Sequence, residues 1–294
     1  MIARVLVVGA AGQLGGGIAR RLVGRDHVVR ALVRDRGDAA RLKELGAEAV
    51  VGDLRDVGSL EAACQDVSHV VTTANAFLGR FRNSSAQIDR RGNVNLIDAS
   101  ARAGVSRFVF LSGCIMRADS LVDFFRHKQA AEVHLERSGL DYVIVRAGAF
   151  MDVWGEIVAG GIATTGVATI FGDGRNPINF IARDDVADFV VRILDDPAVS
   201  RESIAVGGPQ NLSLLDVVET YEKHIGRSAR RKHIPVPAMR ILRNLLGLDP
   251  LTRRKMSAGI EMATVTQTMD IAPLLKRFPG LQLQSIDEWL SRKR

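Results

Sequence analysis

At 294 residues the chain is long enough to bury a sizeable core, as one large domain or two closely joined ones. Its apolar share of 47% and charged share of 25% are those of an ordinary globular protein, which excludes a disordered or fibrous chain. The longest uncharged run, Ile157 to Gly172, is too short to span a bilayer, and Cys64 and Cys114, without metal-ligand spacing, exclude a disulfide scaffold or zinc module.

A continuous apolar run, Val5 to Val8, leads into Gly9-Ala10-Ala11-Gly12-Gln13-Leu14-Gly15, and a helical pattern with Leu14, Ile18 and Leu22 on one face leads out. Ile2 to Gly9 reads as a strand entering a turn rather than a secretory leader, so a cytoplasmic protein is expected. His27 to Val33 is the second expected strand, with a helix over Ala39 to Leu45. Ala49 to Val51 is the third, followed by a short helix over Ser59 to Cys64 opened by Asp56 or Ser59. His69 to Thr73 is the fourth, followed by a long helix from about Ser85 to Ala103. Arg107 to Leu111 is the fifth, Leu121 to Ser138 a helix, and Tyr142 to Arg146 the sixth strand. Three helices end in a glycine followed by an apolar residue, at Gly46, Gly104 and Gly139, which is a C-cap signature. Its recurrence before each strand gives a β-α-β period. The fold class is therefore α/β, a doubly wound parallel sheet of the Rossmann type over residues 1–150.

Past Phe150 the alternation fails. Ile170 to Gly174 reads as a strand entering a turn, Pro177 to Ile181 as a strand, Asp184 to Leu194 as a helix, and Ile204 to Val206 as a late strand, so that segments near 184–207 return to the first domain. Ser213 to Asp216 matches the capping box before a helix reaching His224. Residues 151–294 form a smaller, mostly helical part expected to cover the carboxyl ends of the strands and the substrate. Ala238 to Leu246 carries an apolar stripe with Arg240 and Arg243 opposite, read as a wall of the substrate pocket ahead of a membrane-surface or partner helix. The net charge of +7 lies largely in Arg227 to His233, Arg253 to Lys255 and the tail Arg292-Lys293-Arg294. No aromatic stacking pattern or DNA-binding motif accompanies them, so solvated faces are expected and nucleic acid is not.

Strand, glycine turn and helix together form a dinucleotide site. Glycine supplies φ > 0 and lets the backbone approach a pyrophosphate, and the helix N-terminus holds the phosphates. A glycine-rich turn without ligand is the competing reading; the flanking strand and helix weigh against it. At the end of the second strand, Arg34 and Arg36 suit the 2′-phosphate of NADP(H), because a planar guanidinium bonds it through two parallel N–H groups. Asp35 turned inward would instead accept a ribose 2′-hydroxyl. NADP(H) is the preferred cofactor and NAD(H) the alternative.

In Gly9 to Gly15, Leu32-Val33-Arg34 and Gly52-Asp53-Leu54 the chain resembles the NmrA-like branch of atypical short-chain dehydrogenases/reductases. Gly104 to Ser112, His127-Lys128 with Glu132, Ser138 to Arg146, Asp184 to Asp188 and Gly207-Gly208-Pro209 extend the resemblance over about two-thirds of the sequence. It implies that Gly9, Gly12, Gln13, Leu14 and Gly15 hold the pyrophosphate, and that Asp53 and Leu54 meet the adenine. It places Thr73, Ala74 and Asn75 along the ribose and pyrophosphate, Lys128 on the nicotinamide ribose, and Ala147 to Phe150 beside the nicotinamide.

One departure is chemical. Short-chain reductases commonly carry Tyr-x-x-x-Lys on one helix face, where the lysine lowers the phenol's pKa and the tyrosine donates a proton. Here Lys128 has Phe124 at that position, and the only tyrosines, Tyr142 and Tyr221, lie elsewhere. Ser112 remains at the end of the fifth strand to polarise a carbonyl. General acid catalysis supplies about 10²–10⁴-fold, whereas positioning donor and acceptor supplies about 7–11 kcal/mol, so a reductase without the phenol is chemically sound. Ser112 and Lys128 are the expected catalytic residues, with Cys114, Phe124 and Phe150 in the substrate pocket; His127 and His134 are read as surface histidines. The leading reading is an NADPH-dependent reductase of a small apolar, conjugated acceptor. The alternative is a non-catalytic redox sensor or assembly protein with a regulatory protein partner. Pairing with a second copy is left open.

Overall fold

A computed structural model of the protein describes residues 2–25, 27–114, 117, 119–245 and 249–292. Leu246 of the apolar stripe and Lys293 and Arg294 of the basic tail lie outside these residues.

The chain opens with β1 (Arg4–Val8), α1 (Gln13–Val23), β2 (Val28–Val33), α2 (Arg36–Glu44), β3 (Glu48–Val51), α3 (Val57–Cys64) and β4 (His69–Thr72). Asp35 caps α2 by accepting from the Gly37 N–H at 2.8 Å, and Asp56, rather than Ser59, caps α3 through the Gly58 N–H at 3.1 Å. The long helix expected from Ser85 is in two parts. Ala86–Gly92 is a widened π-turn, and α4 (Asn93–Arg102) follows it. Asn93 explains the widening, since its amide donates at 3.1 Å to the carbonyls of both Ile88 and Asp89. Then come β5 (Arg107–Gly113), α5 (Asp123–Arg137) and β6 (Tyr142–Ala147). Gly46, Gly104 and Gly139 take φ of +86°, +70° and +82°, as the left-handed caps require.

Beyond Ala147 lie β7 (Ala149–Phe150), α6 (Met151–Ala159), α7 (Gly161–Thr165), β8 (Val167–Phe171), β9 (Ile178–Ile181), α8 (Arg183–Ile193), β10 (Glu202–Val206) and β11 (Asn211–Leu212). They are followed by α9 (Leu214–Ile225), β12 (Arg230–Ile234), α10 (Val236–Leu245), α11 (Pro250–Thr264), α12 (Ala272–Arg277) and α13 (Ile286–Arg292). The Ser213–Asp216 capping box opens α9 as its residues dictate. The basic cluster Arg230-Arg231-Lys232-His233 is a strand: it pairs in parallel with β8, Arg230 opposite Val167 through Ile234 opposite Phe171. Four consecutive basic or imidazole side chains give no alternation, so only the partner strand reveals the element.

The main sheet has the order β10-β6-β5-β4-β1-β2-β3, and β1 runs parallel to both β2 and β4, as do β2 with β3 and β4 with β5. The chain divides into two compact units, Met1–Gly113 with Phe124–Arg146 and Val186–Ile204, and Cys114–Asp123 with Ala147–Asp185 and Ala205–Arg294. In the first, Leu6, Val8, Leu60, Ile97, Phe108, Phe110 and Leu135 form a core from which water is excluded. Truncating Phe108 or Phe110 to alanine there costs about 3–5 kcal/mol. The second has its own core, including Met151, Ile170, Phe180, Val218, Tyr221 and Trp289. Among the described residues no helix is long and apolar enough to cross a membrane, and no group of three His, Cys, Asp or Glu could hold a metal ion.

Candidate functional site

Strand order reverses between β1 and β4, with β2 and β3 on one side and β5 and β6 on the other; open α/β sheets take their ligands at the carboxyl ends of such a switch point. Gly9 leaves β1 at φ +91°, and Gly12 caps α1 with no side-chain acceptor and no acidic residue in the first turn. Helix first-turn N–H groups lack an intrahelical acceptor, so an end of this kind can receive an anion. Packing around it is close: a Cβ on Gly9 would lie 2.6 Å from Thr73 Oγ1, and a Cβ on Gly15 would lie 2.2 Å from the Gly9 carbonyl oxygen. Thr73 is fixed by its N–H, which donates to the Val8 carbonyl at 2.9 Å. Arg41 of α2 donates to the Ala11 carbonyl at 2.8 Å and tethers the turn from above. Gly9, Gly12 and Gly15 thus form a turn without side chains, closed on one side by Thr73, whose chemistry fits a diphosphate.

At the end of β2, Asp35 spends its carboxylate on the α2 cap, while Arg34 is exposed and donates to Asn83 Oδ1 at 3.4 Å. Asp53 has both oxygens on Arg55, Oδ1 accepting from Nε at 2.8 Å and Oδ2 from Nη2 at 2.5 Å. Hydrogen bonding from Arg55 holds the Asp53 carboxyl below the usual range despite partial burial. Leu54 is buried beside it, and the Asn95 amide donates to its carbonyl at 3.0 Å.

Lys128 lies at the carboxyl ends of β4 and β5. Its side chain is 2% exposed, and Nζ donates to the carbonyls of Ala74 at 2.8 Å and Leu111 at 3.1 Å, with Asp89 Oδ1 at 3.7 Å. Burial pulls its pKa below the ordinary lysine value, opposed by the charges of Asp89 and Glu132. Two of its three N–H groups are committed to backbone, so a ribose hydroxyl would share the third or exchange with a carbonyl. Asp89 is the residue that sequence reasoning missed. The π-turn points it inward, where it also accepts from the Ala76 N–H at 3.1 Å and so ties down the loop carrying Ala74 and Asn75. The Phe124 ring stands 6.0 Å from the Lys128 amine and packs edge-on against Phe77 at 5.6 Å and Phe125 at 5.4 Å. Ser112 Oγ is buried without a hydrogen-bond partner among the described residues.

His127 is half-buried against Ser85 Oγ at 3.0 Å, and His134 pairs with Asp98 at 2.7 Å. In the second unit, Cys114 donates its N–H to the Ala147 carbonyl at 2.9 Å, and burial pushes its thiol up to about 11, away from nucleophile chemistry. Phe150 is half-buried at the start of α6, and β7, which it ends, pairs with β9. Tyr221 is buried with its pKa raised by desolvation. Two surface clefts of the first unit, of about 510 and 260 Å³, are lined by residues such as Arg90, Arg91, His134 and Gln87, not by the glycine turn.

The model of the NmrA-like family matches residues 1–273. This chain belongs to the NmrA-like family. Among its NmrA-like relatives, the photosystem II assembly factor Ycf39 of Synechocystis sp. is 31% identical over 284 residues, 94% of this chain and 85% of that protein. An NAD(P)H azoreductase of Xenophilus azovorans is 29% identical over 227 residues, 77% of this chain and 75% of that protein. The triphenylmethane reductase of Citrobacter sp., solved with NADP(H), superposes with a TM-score of 0.80 over 99% of this chain and all of that one, at 17% identity. That likeness places the NmrA-like chain in the same fold.

Proposed function

We propose that this NmrA-like protein is an NADPH-dependent oxidoreductase that reduces a small apolar, conjugated acceptor of the quinone or enone type. The observation that carries the reading is the glycine cradle of Gly9, Gly12 and Gly15 at the start of α1, packed against Thr73. Arg34 selects the 2′-phosphate, because Asp35 is engaged as a helix cap and does not offer a ribose acceptor. When bound, the nicotinamide supplies the hydride. Lys128 holds the Ala74 and Leu111 carbonyls in register and offers its remaining N–H to the ribose, and Ser112 Oγ donates to the acceptor oxygen. The proton that completes the reduced acceptor comes from water, since Phe124 supplies none. That favours acceptors whose anion is already stabilised. The azoreductase relative and the reductase of like fold support the reading. Purified protein with NADPH should reduce at least one of a panel of quinones, enones and azo dyes; no NADPH oxidation above background with any of them removes it.

A second reading is favoured by the engagement of Lys128 with backbone carbonyls and by the relative that assists photosystem II assembly. In it the protein is a nucleotide-state sensor whose partner affinity differs between NADPH and NADP⁺. Equal affinity in both states shifts nothing, so identical partner binding and hydrodynamic size with either nucleotide would exclude it.

A further inference from the structure

Charge is distributed unevenly in the second unit. From Lys223 to Ile260 the sequence carries 10 Lys and Arg against one acid, Asp249, leaving 30 against 32 in the rest of the chain. The whole positive excess therefore lies in β12, α10 and the first half of α11. Some of these cations are spent internally: Arg254 on Asp123, Arg231 on Glu222 and Arg243 on Ser257. Arg230, Lys232, Arg240, Arg253 and Lys255 are exposed and form no ion pair among the described residues. Beside them α10 turns an apolar arc outward. Met239 is fully buried, whereas Ile241, Leu242 and Leu245 are 57%, 41% and 73% exposed. Spacing of i, i+1 and i+4 places those three within an arc of about 100°. A basic edge strand by itself guards against strand pairing, but that purpose needs no apolar arc on the next helix.

We propose that this face docks on the surface of a membrane rich in anionic lipid. Ile241, Leu242 and Leu245 enter the acyl boundary, and Arg240, Arg253, Lys255 and the β12 cations lie among the headgroups. Nucleic acid fits less well, because residues 223–260 contain no Phe, Tyr or Trp ring on which a base could stack. The inference stands apart from the proposed chemistry, since none of these residues belongs to the nucleotide cradle.

Its test is co-sedimentation of the full chain with vesicles of phosphatidylcholine alone or mixed with phosphatidylglycerol. Binding is expected only to the anionic vesicles and should fall as salt is raised. Arg253→Ala with Lys255→Ala should weaken it about 25-fold, taking about fivefold per cation at the surface. Ile241→Gln with Leu245→Gln should weaken it by more than about tenfold through lost apolar burial. Melting temperature and NADPH binding measured on each variant separate loss of the face from loss of the fold. Absence of binding to anionic vesicles, equal binding to neutral ones, or binding indifferent to the glutamine pair each overturns the proposal. So does a self-associating wild type that the glutamine pair renders monomeric, because a second copy would then cover the face.

Discussion

Gly15→Ala probes the cradle directly. The added Cβ would lie 2.2 Å from the Gly9 carbonyl oxygen and 2.8 Å from Thr73 Oγ1, where real contacts essentially never fall below 3.0 Å. Neither neighbour yields cheaply, since the first is backbone and the second is fixed to Val8. The turn must open, and the N–H groups of the α1 first turn move off the positions proposed for the nucleotide phosphates. Hydrogen bonds to a charged group are worth about 1.5–3 kcal/mol each, so misaligning two costs about 3–6 kcal/mol, or about 10²–10⁴-fold in affinity. Gly104→Ala is the control: its φ of +70° also disfavours a side chain, but nothing lies within 4 Å of the new Cβ. It should lose about 1–2 kcal/mol of stability and no nucleotide affinity. Fluorescence titration with NADPH and thermal melts of both variants make the comparison. A folded Gly15→Ala protein that binds NADPH within about threefold of wild type would refute the cradle.

Lys128→Met leaves Asp89 buried without its cation and should cost about 3–5 kcal/mol in urea unfolding, while adding Asp89→Asn should recover part of that loss. A double variant less stable than the single one contradicts the coupling. Cys114 should alkylate slowly in the native protein near neutral pH, with its rate rising toward a midpoint of about 11, since only the thiolate reacts; rapid labelling at neutral pH contradicts its burial. Asp53 titrates below its ordinary value, so its folded-state advantage is present above the unfolded carboxyl's pKa of about 3.9 and is lost as pH falls through the lower folded value. Asp53→Asn should therefore lower the melting temperature at neutral pH, with the gap to wild type closing in acid; a gap that widens in acid reverses the sign.

Much of this was legible from residues whose signal is local. Glycine after an α-helix declared its left-handed cap at 46, 104 and 139, and Ser213 with Asp216 formed the capping box their spacing demands. Asp35 remained ambiguous until the backbone showed the Gly37 N–H beneath it, because a cap and a ribose acceptor ask for the same residue. The π-turn was hidden because a 3.6-residue period places Asp89 wrongly; only the Asn93 amide reaching two carbonyls marks the wider turn. Strand β12 was hidden by its own charge, since pairing with β8 rather than alternation makes it a strand. Exposure of Ile241, Leu242 and Leu245 alongside burial of Met239 is likewise a tertiary fact, since an apolar stripe in the sequence does not say which of its residues face the core.

The measurement that bears most directly on the central claim is calorimetric titration of wild type and Arg34→Ala with NADPH and NADH. Wild type should bind NADPH, and Arg34→Ala should weaken NADPH about 10- to 100-fold, the worth of a charge-assisted bond, while leaving NADH nearly unchanged. Heat from neither coenzyme, or an equal loss for both in the variant, would contradict it.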